Sequence, residues 1–105
     1  MRKKNSNMLI SLVVPVYNES GVIQLFIDQV DLILKKIDYK YEIIFIDDGS
    51  TDNTSLELEN IYKSYENIRV IKFSRNFGKE AAISAGIHYS NGDALIPIDV
   101  DMQDP

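Results

Sequence analysis

The chain has 105 residues, no cysteine, one histidine and 11 Lys plus Arg against 16 Asp plus Glu, for a formal net charge of −5. The absence of cysteine excludes a disulfide framework, a thiol nucleophile and a thiolate zinc site, and the acidic balance argues against a nucleic-acid partner, which needs a basic surface. At 45% hydrophobic and 26% charged residues, the composition is that of one globular domain rather than a disordered segment.

Residues 1–7, MRKKNSN, read as a flexible, solvated basic tail, with a weak membrane-surface contact as the other use of its three cations. The apolar run over residues 8–16 is broken by Ser11 and Pro15 and falls short of the roughly 20 residues that a spanning helix needs. No small-residue cleavage site follows it. The run LISLVV over residues 9–14 predicts a first strand. Residues 20–37 predict a helix, with Val22, Phe26, Val30, Ile33 and Ile37 as its apolar stripe. YEIIFI over 41–46 predicts a second strand, and 53–65 a helix faced by Leu58, Ile61, Tyr62 and Tyr65 and capped by Asp52 or Thr51. IRVIKF over 68–73 predicts a third strand. Residues 78–89 predict a helix whose small residues Ala81, Ala82, Ala85 and Gly86 permit close packing on a sheet. Asn91-Gly92-Asp93 turns the chain into a fourth strand, ALIPI, over 94–98.

This β-α-β-α-β-α-β order predicts an α/β fold: a mostly parallel sheet with right-handed crossovers and helices on both faces. The fourth strand is expected to keep an unpaired apolar edge. The chain then reads as the first part of a longer domain, truncated after that strand, and the isolated piece is expected to form a homo-oligomer through the edge or to be marginally stable.

Open α/β sheets bind ligands outside the carboxyl ends of their strands. Seven of the 16 acids, Glu19, Asp47, Asp48, Asp52, Asp99, Asp101 and Asp104, fall on that rim. Crowded carboxylates repel one another, and a divalent cation or a raised pKa relieves the repulsion. Asp99 and Asp101 flank Val100, so in an extended segment both point one way. Two carboxylates with Gln103 next on that face suit Mg2+ or Mn2+; the alternative is a loop whose aspartates only make turns. Asp47-Asp48-Gly49-Ser50 resembles either the acid pair of a phospho-receiver or carboxylates holding a nucleoside, with turn chemistry explaining part of it. A receiver places its acid pair after the first strand and its phospho-acceptor after the third, where this chain has Tyr17-Asn18-Glu19 and Ser74-Arg75-Asn76. Tyr17 either stacks on a base or joins the core with Asn18 as a helix cap. Arg75 and Lys79 are the rim's cations and the natural partners of a diphosphate.

Taken together, VVPVYNE, IIFIDDGSTDNT, SRNFGKEAA and DVDMQDP resemble the N-terminal half of a family 2 glycosyltransferase with the GT-A fold, over residues 8–105. Within the family the strings are most similar to the polyprenyl-phosphate glycosyltransferases, such as dolichyl-phosphate mannose synthase and the bactoprenol glucosyltransferases. The resemblance implies a Rossmann-like nucleotide-sugar-binding half over 8–105, incomplete after the fourth strand. It implies that Pro15, Tyr17, Asn18 and Glu19 form the first nucleotide-binding segment and that Asp47 and Asp48 hold the base and ribose. Lys79 would face the nucleotide. Asp99 and Asp101 match the DXD motif that binds the metal and diphosphate, Asp101 being the catalytic member, and Gln103 matches a further metal ligand. Val100 stands where alanine is more usual and Met102 where leucine is; neither change removes a ligand. The implied donor is a UDP- or GDP-sugar, the cofactor Mg2+ or Mn2+, and the outcome inversion at the anomeric carbon. The implied acceptor is a polyprenyl phosphate on the cytoplasmic side of a membrane, with a saccharide acceptor or a non-catalytic nucleotide-binding module as the alternatives. The family's acceptor half is not among these strings, so this chain alone is expected not to turn over.

Overall fold

Each β-branched run forms a strand and each amphipathic stretch a helix in the computed structural model, which describes residues 8–101. The elements are β1 (Leu9–Val16), α1 (Ile23–Leu34), β2 (Lys40–Asp47), α2 (Thr54–Ser64), β3 (Ile68–Lys72), α3 (Lys79–Tyr89) and β4 (Ala94–Pro97). The tail expected over 1–7 and the expected ligand Gln103 lie outside the described residues.

All strand pairs are parallel, in the order β3-β2-β1-β4. The chain steps outward from β1 to β2 to β3, then returns across the sheet to place β4 on the other side of β1. Right-handed crossovers in opposite directions put their helices on opposite faces. Accordingly Leu12, Val14, Val16, Ile43 and Phe45 pack with Phe26, Ile27 and Val30 of α1 and Leu58 and Ile61 of α2. The alternate residues Val13, Ile44 and Ile46 pack with Ala82 of α3. Central strands covered on both faces have no polar alternation, which is why β1 and β2 read as near-continuous apolar runs. Phe26 meets Phe45 edge to face at 5.9 Å between ring centroids.

The α1 stripe differs from the expected one. The buried face is Ile23, Phe26, Ile27 and Val30, while Ile33 and Ile37 are exposed. The helix ends at Leu34, so Ile37 has left helical periodicity, and Ile33 falls at the margin of a face centred on Val30. On α2, Leu58 and Ile61 are buried but Tyr62 is exposed. Asn53 occupies the cap position without a side-chain bond. The expected cap residue Asp52 instead accepts the Thr54 N–H at 2.9 Å. On the β4 edge, Leu95 and Ile96 are 40% and 43% exposed, as the unpaired edge leads one to expect.

Small residues bring α3 down onto the sheet. A Cβ on Gly86 would overlap Cγ1 of Val13 and lie 2.7 Å from Cδ1 of Ile46. Both partners belong to the buried α3-side core, so neither can step aside. Gly86→Val is therefore expected to destabilise the fold by about 2–3 kcal/mol in urea denaturation, against about 0.5 kcal/mol or less for an exposed α3 position such as Ser84→Val.

A polar cluster not anticipated from the sequence lies beneath the end of α3. Glu42, 7% exposed, accepts the hydroxyl of fully buried Ser11 at 2.6 Å and the Asn91 N–H at 2.8 Å through Oε2. Its Oε1 takes Nη1 of Arg69 at 3.3 Å. The same Arg69 nitrogen caps the carbonyl of Tyr89, the last residue of α3, at 2.6 Å. Residues from β1, β2, β3 and the α3–β4 turn thus share one carboxylate.

Candidate functional site

The return of the chain between β3 and β4 makes β1 and β4 neighbours, and the crevice beyond their carboxyl ends is the place where such sheets bind ligands. A cleft of about 300 Å3 opens there, lined by Pro15, Val16, Tyr17, Glu19, Asp48, Lys79, Asp99, Val100 and Asp101. All four strand-end segments therefore contribute several residues or a charged group to one concavity. Val100 is 4% exposed and packs into the α1-side core. Anchoring the middle residue leaves Asp99 and Asp101 on the cleft, with a turn at residues 100–101 in place of the extended segment expected. Tyr17 is 45% exposed within the lining, which removes the core-aromatic reading and leaves its ring open to a planar ligand.

The cleft concentrates negative charge. Burial pushes the Glu19 carboxyl above its ordinary range, and the charges of Asp101, Asp52 and Asp99 push it further the same way. Lys79 is the cation in the lining. Its Nζ donates to Asp99 Oδ1 at 2.8 Å, and that bond, with the Asp99 charge, raises the Lys79 pKa.

Three other expected residues lie outside the cleft lining, and Asp48 reaches it already bonded to its neighbours. Asp47 is fully buried and faces α2: Oδ1 accepts the Ser50 N–H at 3.0 Å and Oδ2 accepts the Ser55 hydroxyl. It borders a separate groove between α2 and β3, not the cleft. Asn18 has φ +53° and turns its side chain away from the lining, where Oδ1 accepts the Thr51 N–H at 2.8 Å and the Asp52 N–H at 3.3 Å. It makes no cap on α1. Arg75 stacks its guanidinium 4.8 Å from the Phe77 ring centroid and is not in the lining. Asp48 reaches the cleft while bonding to the segment ahead of α3, at Phe77 N, Gly78 N and Asn76 Nδ2.

Sequence reasoning missed the support beneath Glu19. Fully buried Thr54 accepts the Glu19 N–H at 2.9 Å and donates to Asp52 Oδ1 at 2.5 Å. Glu57 holds the Gly21 N–H at 3.1 Å. The first turn of α2 thus fixes the loop that carries Tyr17 and Glu19. The spacing Asp52-x-Thr54 was the available signal, but on sequence it reads only as a cap.

The donor set suits a hard divalent cation. Among the described residues no three His, Cys, Asp or Glu side chains form a closed metal cage. Mg2+ and Mn2+ sites that share their ion with a substrate need only one or two carboxylates, the phosphates and water completing the shell. Asp99 and Asp101 on one lining supply that pair.

Comparison with known proteins gives the family and the fold. Residues 11–105 match the profile of glycosyl transferase family 2. The prophage bactoprenol glucosyl transferase homolog of Escherichia coli is 47% identical over 98 residues, covering 93% of this chain and 32% of the relative. An uncharacterized glycosyltransferase of Synechocystis is 45% identical over 96 residues, covering 91% and 30%. The chain thus spans about a third of the length of the curated relatives it matches. Among solved structures, the 1–349 fragment of Staphylococcus aureus TarS in complex with UDP-GlcNAc superposes with a TM-score of 0.72 at 26% identity, over 90% of this chain and 27% of that one. A Pyrobaculum calidifontis mannosyltransferase in complex with GDP-Man and Mn2+ shares the fold, with a TM-score of 0.75 at 20% identity, over 95% and 31%.

Proposed function

The chain belongs to glycosyl transferase family 2, and on that premise we propose that it is the donor-binding half of an enzyme that moves a hexose from a UDP- or GDP-sugar to a polyprenyl phosphate. The observation that carries the reading is the cleft at the β1–β4 switch, where Asp99, Asp101 and Lys79 converge beside exposed Tyr17. The acceptor rests on likeness to bactoprenol glucosyl transferases at 47% identity. With such a lipid acceptor the whole protein would work at a membrane, and this reading puts it on the cytoplasmic side. No helix among the described residues is long and apolar enough to cross one.

Each residue has a chemical role in this reading. Tyr17 stacks on the base, and Pro15 closes the wall beneath it. Lys79 offers an ammonium to the diphosphate. Asp99 and Asp101 would hold Mg2+ or Mn2+, an ion that would supply positive charge to the leaving diphosphate. Glu19 stands beside this pair, and added positive charge would favour its ionised form, which burial and its acidic neighbours disfavour. A lipid phosphate arrives as an oxyanion and needs little help from a general base. Asp47 and Asn18 support the reading as builders of the rim rather than as ligands.

Calorimetric titration with UDP and with GDP, in Mn2+ and again in EDTA, tests it. Binding of one nucleotide is expected to weaken by about tenfold or more when the ion is withheld, since a charge-assisted contact contributes roughly 1.5–3 kcal/mol. Equal affinity in both conditions, with the protein folded, overturns the metal–diphosphate reading.

A further inference from the structure

The ion pair between Lys79 and Asp99 joins two fixed backbones through exposed side chains. Lys79 opens α3, and the helix is seated there by the Gly78 carbonyl, which accepts the N–H of fully buried Ala82 at 3.1 Å. Asp99 lies between two anchored neighbours: the Ile98 N–H donates to Val13 O of β1 at 3.0 Å, and Val100 is buried in the α1-side core. The paired side chains are 62% and 65% exposed, with Nζ 2.8 Å from Oδ1. An exposed ion pair is weak, and the lysine head rides on a flexible stem. Nζ can therefore leave Asp99 without movement of either backbone.

Two demands fall on that ammonium. The lining sets the carboxylates of Glu19, Asp48, Asp99 and Asp101 against Lys79 as its one cation. Asp99, through its bond and its charge, and Asp101, through its charge, all favour the charged form of Lys79. Asp99 is also half of the pair that suits a hard divalent cation. An ammonium and a divalent ion on one carboxylate repel each other, so Lys79 opposes the ion for as long as it stays on Asp99. A diphosphate changes that balance, because its oxygens offer the displaced ammonium new acceptors. We propose that Lys79 is a placeholder cation, its ammonium neutralising Asp99 until a divalent ion takes that carboxylate and then turning to the diphosphate that arrives with the ion. The ligands in this statement rest on the donor-binding reading above; the Lys79–Asp99 pair does not. The consequence is discrimination: Lys79 holds back the free ion and favours the ion together with a diphosphate.

Lys79→Met tests the proposal because it keeps most of the stem and removes the charge. The probes are Mn2+ alone, followed by the EPR signal of the free ion, and UDP and GDP titrated calorimetrically in saturating Mn2+. Affinity for Mn2+ alone is expected to rise by about three- to fivefold, the worth of an exposed ion pair. Nucleotide affinity is expected to fall by about tenfold, the loss of a charge-assisted contact. Lys79→Arg keeps the charge and is expected to hold Mn2+ affinity near that of wild type. Asp99→Asn is expected to weaken Mn2+ binding by about tenfold or more, which ties the signal to the cleft. Lys79→Gln carries the same comparison should Lys79→Met not fold. Unchanged or weaker Mn2+ affinity in Lys79→Met, with wild type binding the ion through Asp99, would overturn the proposal alone and leave Lys79 a diphosphate ligand only. Unchanged nucleotide affinity in Lys79→Met would also overturn it, by removing the transfer to the diphosphate. A wild-type chain that binds neither Mn2+ nor nucleotide, or whose Mn2+ affinity ignores Asp99→Asn, would overturn the donor-binding reading and this role with it.

Discussion

Replacing Glu42 by alanine is expected to destabilise the fold by about 2–4 kcal/mol, the cost of stripping a buried carboxylate from groups that depend on it. The Ser11 hydroxyl is fully buried and would lose its acceptor, and so would the Asn91 N–H. Arg69 would keep the Tyr89 carbonyl but lose its countercharge, at less cost because its side chain is 37% exposed. For a chain of this size the change corresponds to a fall of roughly 10–20 °C in Tm. Glu42→Gln keeps the volume and one acceptor, and is expected to lie between alanine and wild type.

The pH dependence carries the same signature. Burial alone would raise the Glu42 pKa, but bonds from Ser11, Asn91 and Arg69, with the Arg69 charge, outweigh it and hold the carboxyl below its ordinary 4.5. A folded-state pKa below the unfolded one means that the unfolded chain binds the proton more readily. The contribution is therefore fully present above the ordinary value and is lost as pH falls through the lowered one. Urea denaturation of wild type and Glu42→Gln across that acidic window checks the sign: the stability difference is expected to shrink as pH falls. A constant difference would mean that the ionised carboxylate is not what holds the cluster together. Glu19 works in the opposite sense, since its pKa is raised and ionising it counts against the folded state.

Asp101→Asn is expected to remove most of the metal dependence of nucleotide binding. Loss of an outer-shell partner already weakens metal sites by about 10–100-fold, so loss of a ligand carboxylate is placed at the upper end, about 100-fold. Calorimetric titration of UDP and GDP in Mn2+ measures it. Asp101 is exposed on a turn, so stability is expected to change by about 0.5 kcal/mol or less. A second readout needs no ligand. Asp101 is the first charge that raises the Glu19 pKa, so the substitution should bring the Glu19 titration, followed by NMR, down toward its ordinary value. Unaltered nucleotide affinity in Mn2+ together with an unaltered Glu19 titration would remove Asp101 from the site.

The local chemistry of the chain was enough to determine the class of the fold. Apolar β-branched runs separated by amphipathic stretches can bury themselves only as a parallel sheet with helices on its faces, and the acids at the strand ends marked which rim carries chemistry. The family was equally legible, because strand-end strings such as DDGS and DVD keep their identity whatever surrounds them. Strand order was not legible. Nothing in ALIPI says that it joins β1 rather than β3; that choice depends on which face α3 can cover, and so on whether Gly86 lets a helix approach Val13 and Ile46. The order then decided the site. It brought Pro15, Tyr17 and Glu19 beside Asp99 and Asp101 and left Asp47 on the α2 side, although Asp47 and Asp48 are adjacent in sequence. Consecutive residues at a strand end point to opposite faces, and each carboxylate is used by whichever donors its face presents. The same reason hid the Glu42 cluster, whose members at positions 11, 42, 69 and 91 meet only when three strands and a turn are assembled. Hydrogen-bond capacity belongs to the residue, but its allocation belongs to the tertiary structure.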